Sequence, residues 1–161
     1  MIVVSNTSPI VNLAAVGQLD LLRQLYGKVL IPRAVHKEIV IVGRGQPGAA
    51  EVETFGWIET RRVTDWIVVA SLQLELDDGE AEAIALAAEL KADLLLLDER
   101  KGRVVASRLG FKFVGLLGVL VEAKHKGLIL AIRPVLDNLI GKAGFWISRD
   151  LYEHVLQAAG E

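Results

Sequence analysis

The sequence predicts an α/β protein whose central parallel sheet is covered by helices on both faces. Residues 94–97 are four consecutive leucines, a run too short for a useful helix and typical of a strand buried on both sides. Residues 2–5 give a similar strand at the start of the chain. Between and after them, short apolar stretches alternate with amphipathic helical stretches. This alternation favours parallel strands joined by right-handed helical crossovers.

Composition favours one folded domain, residues 1–161, and limits what the protein can bind. The chain is 52% hydrophobic and 24% charged, with a net charge of −2, which is enough apolar material for a sizeable core. An acidic chain is not a general nucleic-acid binder, so a polyanion contact must be local or must rely on bound cations. The chain has no cysteine, which excludes disulfides, thiol nucleophiles and zinc-thiolate sites.

The sequence also predicts a cytoplasmic protein that does not enter a membrane. The N-terminus lacks a basic leader, and polar residues interrupt its apolar character, so it does not resemble a secretory signal. The longest apolar run, residues 114–121, falls well short of the roughly 20 residues that span a bilayer.

In the first third of the chain, each predicted strand turns directly into a helix. Ser8 and Pro9 are typical of a helix start, as N-cap and first helical residue. A short amphipathic helix over residues 19–25 precedes a buried strand over residues 28–31. Pro32 opens the next helix, whose spacing predicts that one apolar stripe faces the core, made of Val35, Ile39 and Val42.

Residues 43–48 match the pattern Gly-x-Gly-x-x-Gly. A dinucleotide site would need a strand before these glycines and a helix directly after them. Here a helix precedes the glycines and Pro47 interrupts the pattern, so a flexible loop is the favoured interpretation. Such a loop could still move over a site.

The clearest helix covers residues 80–90, with acids crowding its positive N-terminal end. Before it, residues 57–60 alternate like an edge strand, while residues 65–76 support no assignment. After it come the leucine strand and a series of shorter elements: a helix over 99–109, a strand over 111–114, helices over 116–126 and 129–139, an extended segment at 145–147, and a last helix capped by Ser148.

Four polar side chains are expected at the carboxyl end of this sheet: Asn6, Glu38, Glu80 and Asp98. In open α/β sheets, ligands bind just beyond the carboxyl ends of the strands. Clustered carboxylates raise one another's pKa unless a cation lies among them. Mg²⁺ or Mn²⁺ takes oxygen ligands of this kind and can support phosphodiester cleavage.

Each of these residues also has a purely structural explanation. Glu80 suits a helix N-terminus, Glu38 suits a solvated helix face, and Asn6 suits an Asx-type cap on the turn into the first helix. Glu82 and Glu99 lie one or two residues from the candidates and are alternative ligands.

At these positions the sequence resembles the PIN-domain family, and most closely its prokaryotic, toxin-like subfamily of predicted nucleic-acid-binding proteins. The resemblance covers essentially the whole chain. It is carried by residues 3–10, 31–38, 78–87, 97–100 and 115–120.

The resemblance implies a three-layer α/β/α fold with a parallel sheet of four to five strands. It also implies a site for one or two Mg²⁺ or Mn²⁺ ions and cleavage of single-stranded or structured RNA. Carried over to this chain, the catalytic residues are Glu38, Glu80 and Asp98, and the metal ligands are these three and Asn6. Thr7 or Ser8 matches the small hydroxyl residue that supports the first ligand.

Asn6 departs from the family, which usually has aspartate at this position. An amide keeps an oxygen ligand but removes one negative charge, so the resemblance implies a weakened or inactive nuclease. Leu96 also replaces a serine or threonine that many relatives carry.

Basic and aromatic residues give weaker signals. Five basic residues lie near the candidate acids in the sequence: Arg33, Lys37, Arg100, Lys101 and Arg103. They could bind RNA phosphates around the acids, or they could simply form a solvated surface. Trp57, Trp66 and Trp146 lie in apolar company, so we predict core or interface positions rather than base-stacking platforms.

The leading hypothesis is a metal-dependent endoribonuclease, as the toxin of a toxin-antitoxin pair. The alternative is a catalytically inactive module that binds RNA or protein, and a third hypothesis is an unrelated nucleotide-binding α/β domain. A mean hydropathy of +0.41 predicts apolar surface that is covered by a second copy in a homodimer or by an antitoxin. The C-terminal helices are the expected interface.

Overall fold

The computed structural model describes all of residues 1–161 and contains one five-stranded sheet in which all strands are parallel. The strands are β1 (Val3–Ser5), β2 (Val29–Pro32), β3 (Ile58–Arg61), β4 (Leu94–Leu96) and β5 (Phe113–Val114). Their spatial order is β3-β2-β1-β4-β5. The strand at residues 58–61 therefore lies at an edge, as predicted.

Ten helices cover the sheet. In the first half of the chain they are α1 (Thr7–Ala15), α2 (Asp20–Tyr26), α3 (Arg33–His36), α4 (Ala49–Thr54) and α5 (Trp66–Leu72). In the second half they are α6 (Asp78–Leu90), α7 (Arg100–Arg108), α8 (Leu116–His125), α9 (Arg133–Gly141) and α10 (Arg149–Ala158). No helix is both long enough and apolar enough to cross a membrane.

The leucine strand separates two apolar clusters, one on each face of the sheet. Leu96 packs into a cluster with α1, α8 and α9, while Leu95 and Leu97 pack into a second cluster with α6 and α7. All three leucines are fully buried, and burial of each such side chain contributes roughly 1.5–3 kcal/mol. The predicted three-layer α/β/α architecture is confirmed.

β1 is the central strand and pairs with β4 in a register that places Ser5 opposite Leu96. The backbone N–H of Asn6 continues this ladder and donates to Leu96 O at 3.0 Å. Because both strands end at the same edge, Asn6 and Asp98 leave the sheet side by side. The position of both residues at the carboxyl edge of the sheet was predicted, whereas the direct pairing of the two strands is a finding of the structure.

The predicted start of the first helix is wrong by two residues, because Ser8 was predicted as the N-cap and Pro9 as the first helical residue. α1 begins at Thr7, and Asn6 is its N-cap residue but makes no side-chain capping hydrogen bond. Pro9 is the third helical residue, where its missing N–H is still one of the four that have no partner within the helix. The Asx-type cap therefore does not explain why asparagine stands at position 6.

The helix after β2 changes character at Lys37. Residues Lys37–Val42 form a π-helical segment, in which Gly43 N donates to Glu38 O, five residues earlier, at 3.0 Å. Val35 and Ile39 are buried as predicted, but Val42 is 75% exposed. The prediction for Val42 is wrong because the wider π turn rotates later residues away from the positions that α-helical spacing assigns.

Other differences lie near the ends of elements. Residues 65–76 contain α5, which Asp65 caps by accepting a hydrogen bond from Val68 N at 3.2 Å. α9 begins at Arg133 rather than at residue 129, and residues 145–147 join no strand. Residues 43–48 are a loop, and Ser148 caps the last helix through Leu151 N at 3.2 Å; both features were predicted.

Candidate metal centre

Glu80 lies in the first turn of α6, where a reciprocal capping box fixes its backbone and one carboxylate oxygen. Asp77 Oδ1 accepts from Glu80 N at 2.8 Å, and Glu80 Oε1 accepts from Asp77 N at 3.3 Å. The pattern Asp-x-x-Glu explains this local structure, since each side chain satisfies a backbone N–H at the helix start. Only 3% of Glu80 is exposed.

The second oxygen of Glu80 is the one buried side-chain polar atom in the protein that has no hydrogen-bond partner. Burial, together with repulsion from Asp77 and Glu99, raises the pKa of Glu80 to about 7. A buried oxygen without a partner costs free energy unless a ligand compensates it. Asp77, Glu80 and Glu99 each place one carboxylate oxygen within 4.8 Å of the others. These hard oxygen donors fit a divalent cation such as Mg²⁺ or Mn²⁺.

Asn6, Glu38 and Asp77 direct oxygens toward one face of Gly79, in the first turn of α6. A Cβ atom built on Gly79 would lie 3.2 Å from Glu38 Oε2 and 3.3 Å from Asn6 Oδ1. Asp77 Oδ1 would lie 3.6 Å from the same point. Because glycine has no side chain, oxygens from β1, the π-helical segment and the start of α6 can approach one another here.

Thr7 and Ser8 were predicted to support the first ligand, Asn6, but each hydrogen-bonds to a carboxylate instead. Thr7 Oγ1 donates to Glu38 Oε2 at 2.8 Å, and Ser8 Oγ donates to Asp98 Oδ2 at 3.2 Å. The first turn of α1 therefore orients two of the predicted acids. The side chain of Asn6 makes no hydrogen bond within the protein, so its amide oxygen is available to a ligand.

Asp98 follows β4, and its carboxylate has two hydrogen-bond donors and one cation as neighbours. In addition to Ser8, the backbone N–H of Leu116 donates to Asp98 Oδ1 at 2.8 Å from the first turn of α8. The guanidinium of Arg103 lies 3.7 Å from the same oxygen. The start of a helix and a cation therefore both face this carboxylate.

The structure brings the predicted site residues to one edge of the sheet but does not place all of them in one group. Glu80 belongs to the cluster of three carboxylates with Asp77 and Glu99, whereas Glu38 and Asp98 lie outside that cluster. Glu99 was an alternative ligand in the sequence, while Asp77 was recognised only as part of a helix start. Its spacing to Glu80, which makes a capping box, was the signal that could have revealed their proximity.

Glu82 has a structural role. It is buried, and its Oε1 accepts from Ala34 N at the start of α3 at 3.2 Å. This contact ties α6 to the helix that carries Glu38. Of the two alternative ligands, Glu82 is therefore the weaker candidate, because one of its oxygens is already hydrogen-bonded and Glu99 lies in the carboxylate cluster.

The predicted RNA-binding residues fall into two classes. Arg103 is committed to the fold, since its Nε donates to Leu97 O at 2.9 Å and its guanidinium lies 5.6 Å from the centre of the Phe113 ring. The other four are exposed and form no ion pair: Arg33, Lys37, Arg100 and Lys101.

The tryptophans were predicted to lie in the core or at an interface, and two of the three do not lie in the core, so for these two the interface position stays a prediction. Trp57 is half-buried against the larger cluster and stacks on Phe55 with ring centres 6.0 Å apart. Trp66 is 49% exposed and Trp146 is 83% exposed. Apolar neighbours in sequence did not indicate burial because these residues lie on the outer surface of α5 and in the segment before α10.

A parallel α/β/α sandwich with acids at the carboxyl edge of its sheet fits a nuclease-like fold. The model of a family described as PIN domain matches residues 2–161, and the chain belongs to the PIN-domain family. PIN domains generally use divalent metals and bind nucleic acids. No curated protein matches the chain.

Proposed function

We propose that this protein is a Mg²⁺- or Mn²⁺-dependent endoribonuclease that cuts single-stranded or structured RNA. The observation that carries the proposal is Glu80 Oε2, which is buried among carboxylates without a hydrogen-bond partner. A cation at this position would compensate both the missing partner and the repulsion. Family membership supports the same chemistry.

The proposed ligands are Glu80 with the side chains around it. Asp77 and Glu99 approach it on one side, while Asn6 and Glu38 meet Asp77 over Gly79. Asp98 completes the proposed catalytic set with Glu38 and Glu80. When bound, one or two divalent ions supply the positive charge that activates a water and neutralises a phosphodiester.

The chain's own residues would position these groups. Thr7 fixes Glu38, and Ser8 together with the Leu116 N–H fixes Asp98. These hydrogen bonds hold both carboxylates in fixed positions at the edge of the sheet. The exposed cations Arg33 and Lys37, which precede Glu38 on the chain, are suited to hold RNA phosphates.

The test is cleavage of a labelled single-stranded RNA with Mg²⁺ or Mn²⁺. We expect cutting that is abolished by a chelator and by Asp98→Asn. Glu53→Gln is the matched control, because Glu53 is exposed on α4 and has no bonding partner in the protein. Metal-independent cutting, or full activity of Asp98→Asn, would contradict the proposal.

A second candidate function is an inactive module that binds RNA or protein, and the residue that favours it is Asn6. Its amide carries no charge, so the site has one acid fewer than the usual PIN arrangement. Asn6→Asp should raise both metal affinity and cleavage rate if the amide weakens the site. Asn138→Asp is the matched control, since it adds the same charge at an exposed position of α9. Unchanged metal binding in Asn6→Asp would argue against Asn6 as a ligand.

We further propose that the protein acts in the cytoplasm as the toxin of a toxin-antitoxin pair and forms a homodimer. Large apolar side chains at the surface support a covered interface: Ile41, Val42, Ile67, Leu74 and Leu130 are 63%, 75%, 84%, 86% and 96% exposed. The C-terminal helices are the proposed contact, with Ile140 on α9 partly exposed. Light scattering after gel filtration tests the dimer, and a monomeric mass would contradict it.

A further inference from the structure

A groove runs from Asp98 toward the C-terminal segment and is unusually rich in aromatic side chains. Its cavity volume is about 550 Å³. We call it the aromatic groove and define it by Asp98, Arg103, Phe113, Gly118, Phe145 and Trp146. Asp98 belongs both to this groove and to the proposed catalytic set, so the two sites are continuous.

We propose that the aromatic groove binds an unpaired nucleobase of the RNA whose backbone lies at Asp98. The inference rests on the proposed function for the position of that backbone. It adds a base-binding subsite that is formed by residues other than the acids. Trp146 supplies the stacking surface, and Arg103 supplies the positive charge between base and backbone.

Trp146 has the properties of a stacking platform. It is 83% exposed, although an exposed indole gains nothing from water and is normally buried. Phe145, its neighbour, is partly buried against the larger apolar cluster and anchors the segment. A flat, open ring on an anchored backbone is what base stacking requires, because every nucleobase presents a π face.

Arg103 connects the groove to the acids. Its guanidinium is held by Leu97 O, lies against Asp98 and covers the Phe113 ring. These contacts fix a cation where the groove meets the carboxyl edge of the sheet. Asp98 partly balances this charge, but 38% of the Arg103 side chain is exposed, so the guanidinium can still contact the phosphate of a ligand that stacks an aromatic ring on Trp146.

Two glycines at the start of α8 line the groove, Gly115 and Gly118. Gly118 is exposed, and the missing side chain at Gly115 lets Arg103 and Asp98 pack against the backbone, because a Cβ there would overlap Arg103 and lie 2.6 Å from Asp98 Oδ1. The cavity volume lies within the range of small-ligand pockets, roughly 300–1,000 Å³. That size suits a base or a short nucleotide segment rather than a docked helix of a partner protein.

The experiment measures binding of a short single-stranded RNA in EDTA, so that no cleavage takes place. We expect Trp146→Ala to weaken binding on the order of tenfold, the usual loss for one stacked base. Trp146→Phe should retain most of the affinity, since it keeps an aromatic ring. Trp66→Ala is the matched control, an exposed tryptophan on α5 that lies outside the groove.

RNA with an abasic nucleotide separates base stacking from backbone attraction. Scanning the abasic position along the RNA should reveal one site at which wild-type affinity falls by the same factor and Trp146→Ala affinity does not change. The proposal is overturned if wild type binds no RNA, if intact and abasic RNAs bind equally well at every position, or if Trp146→Ala binds like wild type. It is also overturned if Trp146→Ala changes the mass in solution, because the groove would then be a protein interface.

These outcomes are distinct from those that test the nuclease. If wild type shows Trp146-dependent RNA binding in EDTA but never cleaves RNA with metal, the proposed function fails and the base subsite remains. If metal-dependent cleavage occurs with no contribution from Trp146 to RNA binding, the subsite fails and the nuclease remains.

Discussion

Two acids at the same edge of the sheet, Asp98 and Glu80, have opposite surroundings. Asp98 accepts hydrogen bonds from Ser8 and the Leu116 N–H and faces Arg103. Glu80 has one oxygen without a partner and lies beside two other carboxylates. The fold alone satisfies Asp98, whereas Glu80 is satisfied only when something positive binds. The difference shows that Glu80, and not Asp98, is the acid that most needs a bound cation.

The largest expected effect is on metal affinity. Glu80→Gln should weaken Mn²⁺ binding roughly a hundredfold, which corresponds to about 2.7 kcal/mol, because the carboxylate with an unpaired oxygen is lost. Asp98→Asn should weaken it less, since the charge of Asp98 is already partly balanced by Arg103. Isothermal titration with Mn²⁺ measures both values. Equal losses of Mn²⁺ affinity in the two variants would contradict the proposed difference between Glu80 and Asp98.

The next effect is on stability without metal, and its sign should differ between the two acids. At pH 8 in EDTA, Glu80→Gln should stabilise the protein on the order of 2 kcal/mol by removing a buried charge. Asp98→Asn should destabilise it by weakening contacts with Ser8 and Arg103. Urea unfolding of both variants measures the two changes. A loss of stability in Glu80→Gln would contradict the assignment.

The same cause gives a pH dependence. Because the pKa of Glu80 is raised from 4.5 to about 7 in the folded protein, the folded state holds a proton that the unfolded state has released between these values. Its contribution to stability in EDTA is therefore full below pH 4.5 and is lost as pH rises through 7. Metal binding should show the reverse trend and weaken below pH 7, because protons compete for the carboxylate. Glu80→Gln should flatten both profiles.

The smallest effect concerns the space between the acids. Gly79→Ala would put a Cβ 3.2 Å from Glu38 Oε2 and 3.3 Å from Asn6 Oδ1, so both oxygens must shift by a few tenths of an ångström. We expect metal affinity to fall severalfold. The melting temperature should not fall, because alanine is the better helix former by up to about 1 kcal/mol. Unchanged affinity would show that the oxygens over Gly79 are not ligands.

Features that depend on local pattern could be predicted from the sequence. The leucine strand and the position of Glu80 at a helix start both follow from burial patterns and capping signals over a few residues. Features that depend on side-chain direction could not. The π-helical segment exposes Val42, α1 starts two residues early, and Glu99 joins Asp77 and Glu80, because contacts with distant parts of the chain decide each of these outcomes.

Three glycines lie beside the acids, and a side chain at any of these positions would press on a neighbouring group. Besides Gly79, a Cβ on Gly102 would lie 3.0 Å from Leu97 Cδ1 and 3.1 Å from Glu80 Oε2, and a Cβ on Gly115 would overlap the Arg103 side chain. A saturation scan scored by RNA cutting should therefore show losses at all three positions, with alanine at Gly79 the mildest change. The positions that do not tolerate a larger residue would then mark the boundary of the active site.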